Sequence, residues 1–314
     1  MKVLLLSFVV FQLCTVFVEC FRQPSQVSCS EPSFYGDACE CFENRPHFQE
    51  LVCRNLSCFR EFSHYLKEVQ GFNVRRLSME NMEIKYIPRL MFERNFTWLE
   101  VSHSVLTEEL FEFIPQNNKI DHLLLNEVRI ADGKWDWKII SPLEKLATLR
   151  MRKMSVGSLQ NFTHFSKSLK HLVLHGCDVR ELRVDQFREF KQLEMIDIRH
   201  DRLKELKRSM FPTPSKLRIL IFRNNHLTSL PENLFEGMKD LIVIDFQQNH
   251  LTVLSERILK PVLNPVLSLQ GNPLKCDCEM KWILEIKMVK GKCDAPQHLK
   301  GKEIKHLEEE NFNC

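Results

Sequence analysis

Between Leu193 and Leu254 one apolar spacing occurs three times at an interval of 24 residues. Leu217, Leu220, Phe222, Asn225, Leu227 and Leu230 form the best-kept copy. Leu193, Ile196, Ile198, Asp201, Leu203 and Leu206 precede it, and Leu241, Ile244, Phe246, Asn249, Leu251 and Leu254 follow. A period of this length is neither a heptad nor a simple alternation. It marks a supersecondary unit that cannot bury its own apolar face and must stack on neighbours. Extended outward, the pattern restarts at Val74, Phe96, Ile120, Leu146, Leu169, Leu193, Leu217, Leu241 and, truncated, Asn264, at intervals of 22 to 26 residues. About nine units exceed the three or so needed to enclose a continuous core. No Pro/Gly/Ser-rich linker interrupts the series, and glycine is scarce at nine residues, which predicts one domain.

The spacing L-x-x-L-x-L-x-x-N-x-L resembles the leucine-rich repeat. The resemblance implies an α/β solenoid with a curved parallel sheet on its concave face, an irregular or short-helical convex side and stapled ends. The fourth and sixth positions (Leu220 and Phe222) alternate with polar or variable residues, as a strand with one buried face requires. Pro88 and Pro231 follow apolar residues and precede Met91-Phe92 and Leu234-Phe235, pairs suited to filling the convex layer. At the ninth position an inward Asn satisfies loop backbone groups. Asn225, Asn249 and Asn272 match, Asp201 is close, and Cys177 reads as a buried, reduced filler. Met82, Ser104, Val128 and Met154 stand there in earlier units, which predicts a more irregular, more easily opened N-terminal half. In the longest unit Trp137 falls on the convex apolar slot, and Trp135 reads either as an exposed anchor or as cover for the insertion.

Residues 1–20 read as a secretory signal peptide: Lys2 precedes a nearly unbroken apolar run, Val3–Val18, rather short for a bilayer span. No later segment has 18 consecutive apolar residues, so neither a membrane span nor a lipid-anchor tail is expected. Beyond Cys14 and Cys20 the chain has ten cysteines, nine of them in two terminal clusters, the pattern of disulfide-stapled caps in an exported protein. Asn55, Asn95 and Asn161 begin Asn-x-Ser/Thr sequons and are candidate glycosylation sites. A formal charge of +3 on 314 residues gives no reason to invoke nucleic acid or a general attraction to membranes.

Gly271-Asn-Pro-Leu-Lys-Cys276-Asp-Cys278 leads to Trp282, Cys293, Pro296, Leu299, Gly301 and Cys314. This run resembles the C-terminal flanking cap of extracellular leucine-rich repeat proteins, and Cys29, Cys39, Cys41 and Cys53 resemble their N-terminal cap. The resemblance extends over residues 29–314 and is to the Slit, Toll-ectodomain and small-proteoglycan group. Small secreted arthropod relatives, among them a non-catalytic luciferase subunit, are similar too. It implies disulfides Cys276–Cys293, Cys278–Cys314, Cys29–Cys41 and Cys39–Cys53. Cys58 is left as a buried thiol, a partner of Cys20 or a link to another chain. The expected organisation is a signal peptide at 1–20, an N-terminal cap at 29–72, repeats at 73–263, and the last strand with the C-terminal cap at 264–314.

The chain contains no phosphate-binding, nucleophile-elbow or metalloprotease motif, and its twelve histidines lack ligand spacing. No enzyme activity, cofactor or metal is therefore expected. The outward positions are more informative. In register, Arg150, Arg152, Lys153, His175, Arg199, His200 and Arg223 converge on the middle of the sheet. Strands roughly 5 Å apart make them one patch. Either this patch binds an acidic extracellular partner, protein or glycan, or Asp197, Asp245 and other acids neutralise it into an ordinary solvated face. The expected function is a secreted, non-catalytic binding protein. The alternative is a matrix component or a non-catalytic subunit of a secreted complex.

Overall fold

The computed structural model describes residues 38–45, 48–57, 59–68, 73–130, 133, 135–312 and 314. The expected leader, together with Cys20, Cys29 and Cys58, lies outside them, and so does the expected Cys29–Cys41 pair. Every full repeat start from Val74 to Leu241 is buried, at 2 % exposure or less, as are the fourth and sixth positions of the same units. Those three positions build the core. The residues between the fourth and sixth stand on the opposite face because side chains alternate along a strand. The fold is a leucine-rich repeat solenoid.

The chain divides into two compact units. The first takes residues up to Ile120 together with Val128–Asp132. Its strands β1 (Cys39–Arg45) and β2 (Phe48–Arg54) pair antiparallel and are joined by the Cys39–Cys53 disulfide. The helix α1 (Phe59–Glu68) buries Phe62, Tyr65 and Leu66, a one-face spacing. β3 (Val74–Glu80) pairs parallel with β2 and with the next strand, Trp98–Ser102, so that Leu51, Leu77 and Leu99 lie side by side. β2 thus acts as an extra repeat strand inside the cap, a role the cysteine pattern does not reveal.

Two-residue strands follow in this unit: β4 (Glu83–Ile84) precedes β5 (Trp98–Ser102), and β6 (Val105–Leu106) comes after it. With Arg129–Ile130 they form a second parallel sheet. This sheet corrects the expectation of an irregular N-terminal half. Where the ninth residue is Met or Val and cannot bond, the backbone bonds to itself: Val105 N–H donates to Met82 and Arg129 N–H to Ser104. Ser104 still imitates the missing Asn in part, its Oγ accepting from Met82 N–H at 3.0 Å.

The second unit takes Asp121–Glu127 and Gly133–Cys314. Its strands are β7 (His122–Asn126), β9 (Thr148–Arg152), β10 (His171–His175), β11 (Met195–Arg199), β12 (Ile219–Ile221), β13 (Val243–Asp245), β14 (Val266–Ser268) and β16 (Met288–Lys290). They lie parallel in that order, with β8 being Arg129–Ile130 of the first unit and β15 the pair Leu274–Lys275. Here the Asn ladder is present. Asn225 accepts from Leu203 N–H and donates to the Ile198 and Phe222 carbonyls, and Asn249 and Asn272 repeat the arrangement. Behind the sheet runs a spine of rings through Trp137, Phe162, Phe187, Phe211, Phe222 and Phe246, with successive centroids 4.9–6.3 Å apart.

The repeat strands of the second unit leave the sheet through a left-handed residue at position eight: Glu127, Lys153, Gly176, His200, Asn224, Gln248 and Gly271 all have positive φ. The C-terminal cap supplies the edge strand β16 as well as covering the end. Its disulfides Cys276–Cys293 and Cys278–Cys314 tie it together, and Trp282 donates to the Leu254 carbonyl at 3.1 Å. Trp137 is buried and donates to the Ser158 carbonyl. Trp135 is half-buried and packs edge-on against it at 5.6 Å.

Candidate sheet-face interface

The register of β9, β10 and β11 places Arg152, His175 and Arg199 opposite one another, and His200 N–H bonds the Arg223 carbonyl at the next strand. Four of the seven nominated residues are therefore adjacent in one row. Arg150 stands two residues below Arg152, in line with Val173 and Asp197. Lys153 and His200 occupy the left-handed turn and leave the row. Lys153 Nζ contacts Glu127 Oε1 at 2.6 Å, and His200 Nδ1 meets Asn224 Nδ2 at 2.6 Å.

Asp197 changes the charge of this row. It is 1 % exposed, it takes both Nε and Nη2 of Arg199, and the Nε2 of His175 lies 3.1 Å from its carboxylate. Burial opposes its ionisation, but His175 and Arg199 outweigh burial and hold its carboxyl below the usual range. Arg199 is correspondingly raised, chiefly by its bonds to Asp197. A forked, partly desolvated pair of this kind is preoccupied and offers little to a ligand. Neighbouring His171 is held below its ordinary value, first by burial and then by His122, Lys170 and Arg150, against the opposing pull of Glu194. What stays available is smaller than the sequence suggests. Arg150 and Arg152 make no ion pair among the described residues, and Arg150 Nε is buried with no acceptor. The Arg223 side chain bonds the neutral Gln248, at 3.0 Å.

The outward face of the first unit is a closed lattice by contrast. Arg76 bridges Glu50 and Glu100 and lies 4.8 Å over the Trp98 ring, while Arg54 bridges Glu40 and Glu80. Its charges are used internally.

The third position also faces outward. In the second unit that row begins with the polar His122, Thr148 and His171 and continues as Met195, Ile219, Val243, Val266 and Met288, the last five in register across five strands and exposed to an intermediate degree or more. Four of them were findable two residues past each repeat start. Met288 was not, because it lies in the cap and joins the sheet only through tertiary pairing.

No group of three or more His, Cys, Asp or Glu among the described residues is placed to hold a metal ion. Cys177 is a free thiol, fully buried, and pushed up to about 12 by burial and then by Asp201, so it carries no thiolate chemistry at neutral pH. A hollow of about 880 Å³ on the loop side is lined by residues such as Arg202, Lys204, Glu205 and His226; Arg202 faces Asp178 and Lys207 faces Glu205 nearby. The sequon residues Asn55, Asn95 and Asn161 are all exposed. No helix among the described residues is long and apolar enough to cross a membrane.

A leucine-rich repeat family model matches residues 215–274. A comparison with curated protein sequences finds no match. Among solved structures, the chain is similar to the leucine-rich repeat part of FLRT2 in an octameric complex with Latrophilin 3 and Unc5D. The TM-score is 0.58 and the identity 16%, over 79% of this chain and 86% of that one. In all, 274 chains of solved structures match, so the likeness is to a widely used scaffold. At this identity it establishes the fold.

Proposed function

We propose that this chain is a secreted, extracellular, non-catalytic binding protein that recognises an acidic partner, protein or glycan, through the exposed face of its parallel sheet. The observation that carries the reading is the group Arg150, Arg152 and Arg223: three guanidiniums on one face, none in an ion pair among the described residues, one with a buried donor lacking an acceptor. Disulfides in both terminal regions favour an oxidising compartment. The solenoid, with its filled interior, serves recognition far more often than catalysis.

The test compares the wild-type chain with an Arg150→Glu, Arg152→Glu, Arg223→Glu variant in affinity capture from native extracellular fluid, with proteins and sulfated glycans both identified. The expected result is a partner retained by the wild type and weakened at least 10-fold by the variant. A partner bound equally by both would overturn the assignment of the face. Retention at fixed stoichiometry through purification would assign the role of a complex subunit.

A further inference from the structure

The third-position row makes a more specific reading available, resting on the sheet-face proposal above. Met195, Ile219, Val243, Val266 and Met288 form an apolar ladder whose members sit on adjacent strands. Around its C-terminal end Ile242, Leu263 and Met288 are 46%, 80% and 54% exposed. Met195, Ile219, Val243 and Val266 are half-buried and Met288 is exposed, so the row presents apolar surface at the sheet face, and apolar surface rimmed by charge marks an interaction site. Cations stand on both sides of it, exposed Arg218 and Lys287 just before the row and Arg223 beyond it, none of them in an ion pair among the described residues, while the one acid beside the ladder's middle, Asp245, two residues past Val243, is bonded by Gln247.

The spacing selects the occupant. Parallel strands are roughly 4.8 Å apart, so ladder side chains recur at that interval across the sheet. On an α-helix, residues at alternate i+3 and i+4 steps return to one face about every 5.3 Å of rise. An extended strand returns to one face only about every 6.7 Å and falls out of step within two contacts. A sulfated glycan satisfies arginines but leaves the apolar row uncovered.

We propose that the second unit's sheet face docks an acidic amphipathic helix of a protein partner, laid across β11, β12, β13, β14 and β16. Its apolar stripe covers the Met195–Met288 ladder and its Asp and Glu flanks meet Arg218 and Arg223. Five strands span about 19 Å, or about 13 helical residues.

The probe is a display library of random 18-residue peptides selected on the intact, disulfide-bonded chain, with a heparin dodecasaccharide measured in parallel. Enriched peptides are expected to carry apolar residues at i, i+3 or i+4, i+7 spacing with flanking Asp or Glu. They should weaken at least 10-fold on Ile219→Asp, Val243→Asp and on Arg218→Glu, Arg223→Glu variants. Circular dichroism and thermal melting report whether each variant is folded, and Ile219→Ala, Val243→Ala replaces the aspartate pair if that pair unfolds. Enriched peptides without the amphipathic pattern, or bound unchanged by the folded ladder variants, overturn the helix assignment. Heparin binding lost in the Arg150, Arg152, Arg223 reversal but untouched in the ladder variants, with no peptide enriched, overturns the helix while leaving the sheet-face reading standing.

Discussion

Asp197 and Asp201 lie four residues apart, both almost wholly buried, and their carboxyls shift in opposite directions. Asp197 is compensated by Arg199 and His175. Asp201 occupies an Asn position of the ladder, where its Oδ1 accepts from Cys177 and Val179 N–H, each at 2.9 Å, while Oδ2 has no partner. An Asn donates an N–H from that second atom, as Asn225 does; an ionised Asp offers only an oxygen. Burial therefore pushes Asp201 up to about 6, with Asp178 adding to it against the lowering by the two backbone bonds. Because the folded value exceeds the usual 3.8, ionisation disfavours the folded state. That penalty is absent below pH 4, grows as pH rises towards 6 and is constant above it. Asp201→Asn should then stabilise the protein by up to about 3 kcal/mol at pH 7 and lose its advantage by pH 4. Denaturant melts across that range check it, and an advantage independent of pH would refute the explanation. The ladder position of Asp201 was legible in the spacing. Its protonation was not, because that depends on which carbonyls and charges the stacked turn brings around it.

Among the elements, the turns behind the sheet supply most of the buried rings, joined by Phe222 and Phe246 from the sheet side. Phe162 has no exposure and packs against Trp137, Phe165, Phe187 and Phe190. Neighbouring turns share it, so relaxation into the space it leaves is limited. Phe162→Ala should cost about 3–5 kcal/mol, read as a lowered denaturant midpoint with unchanged slope. The strands themselves were nearly complete in the sequence, since the five residues from the third position onward are the strand in β5, β7, β9, β10 and β11. The second small sheet of the first unit was not. Nothing in Glu83-Ile84 or Val105-Leu106 alternates enough to announce a strand. These segments pair because their ninth-position neighbours cannot satisfy the backbone for them.

For the whole molecule, two ways of satisfying the same turn divide the chain. The second unit bonds its turns through buried Asn side chains that hold donors and acceptors of two repeats at once. The first relies on two-residue strands, each with few bonds, and on the single Ser104 hydroxyl in place of an Asn. Native-state hydrogen exchange should find the amides of Leu203, Leu227 and Leu251 at least 10-fold slower than those of Val105 and Arg129, and equal rates would contradict the distinction. The repeat period alone determined which residues face the core, where each strand runs and which side chains share a row, because one fixed spacing in a stack leaves a single register. Only the tertiary structure decided what those outward rows present. It set Asp197 beneath Arg199 and His175, and it turned Lys153 and His200 out of the basic row at left-handed turns. It also brought Met288 from the cap to the end of an apolar ladder. Charge and exposure on a surface depend on neighbours about 24 residues away in sequence and 5 Å away in space, and the stacking of the repeats makes them neighbours.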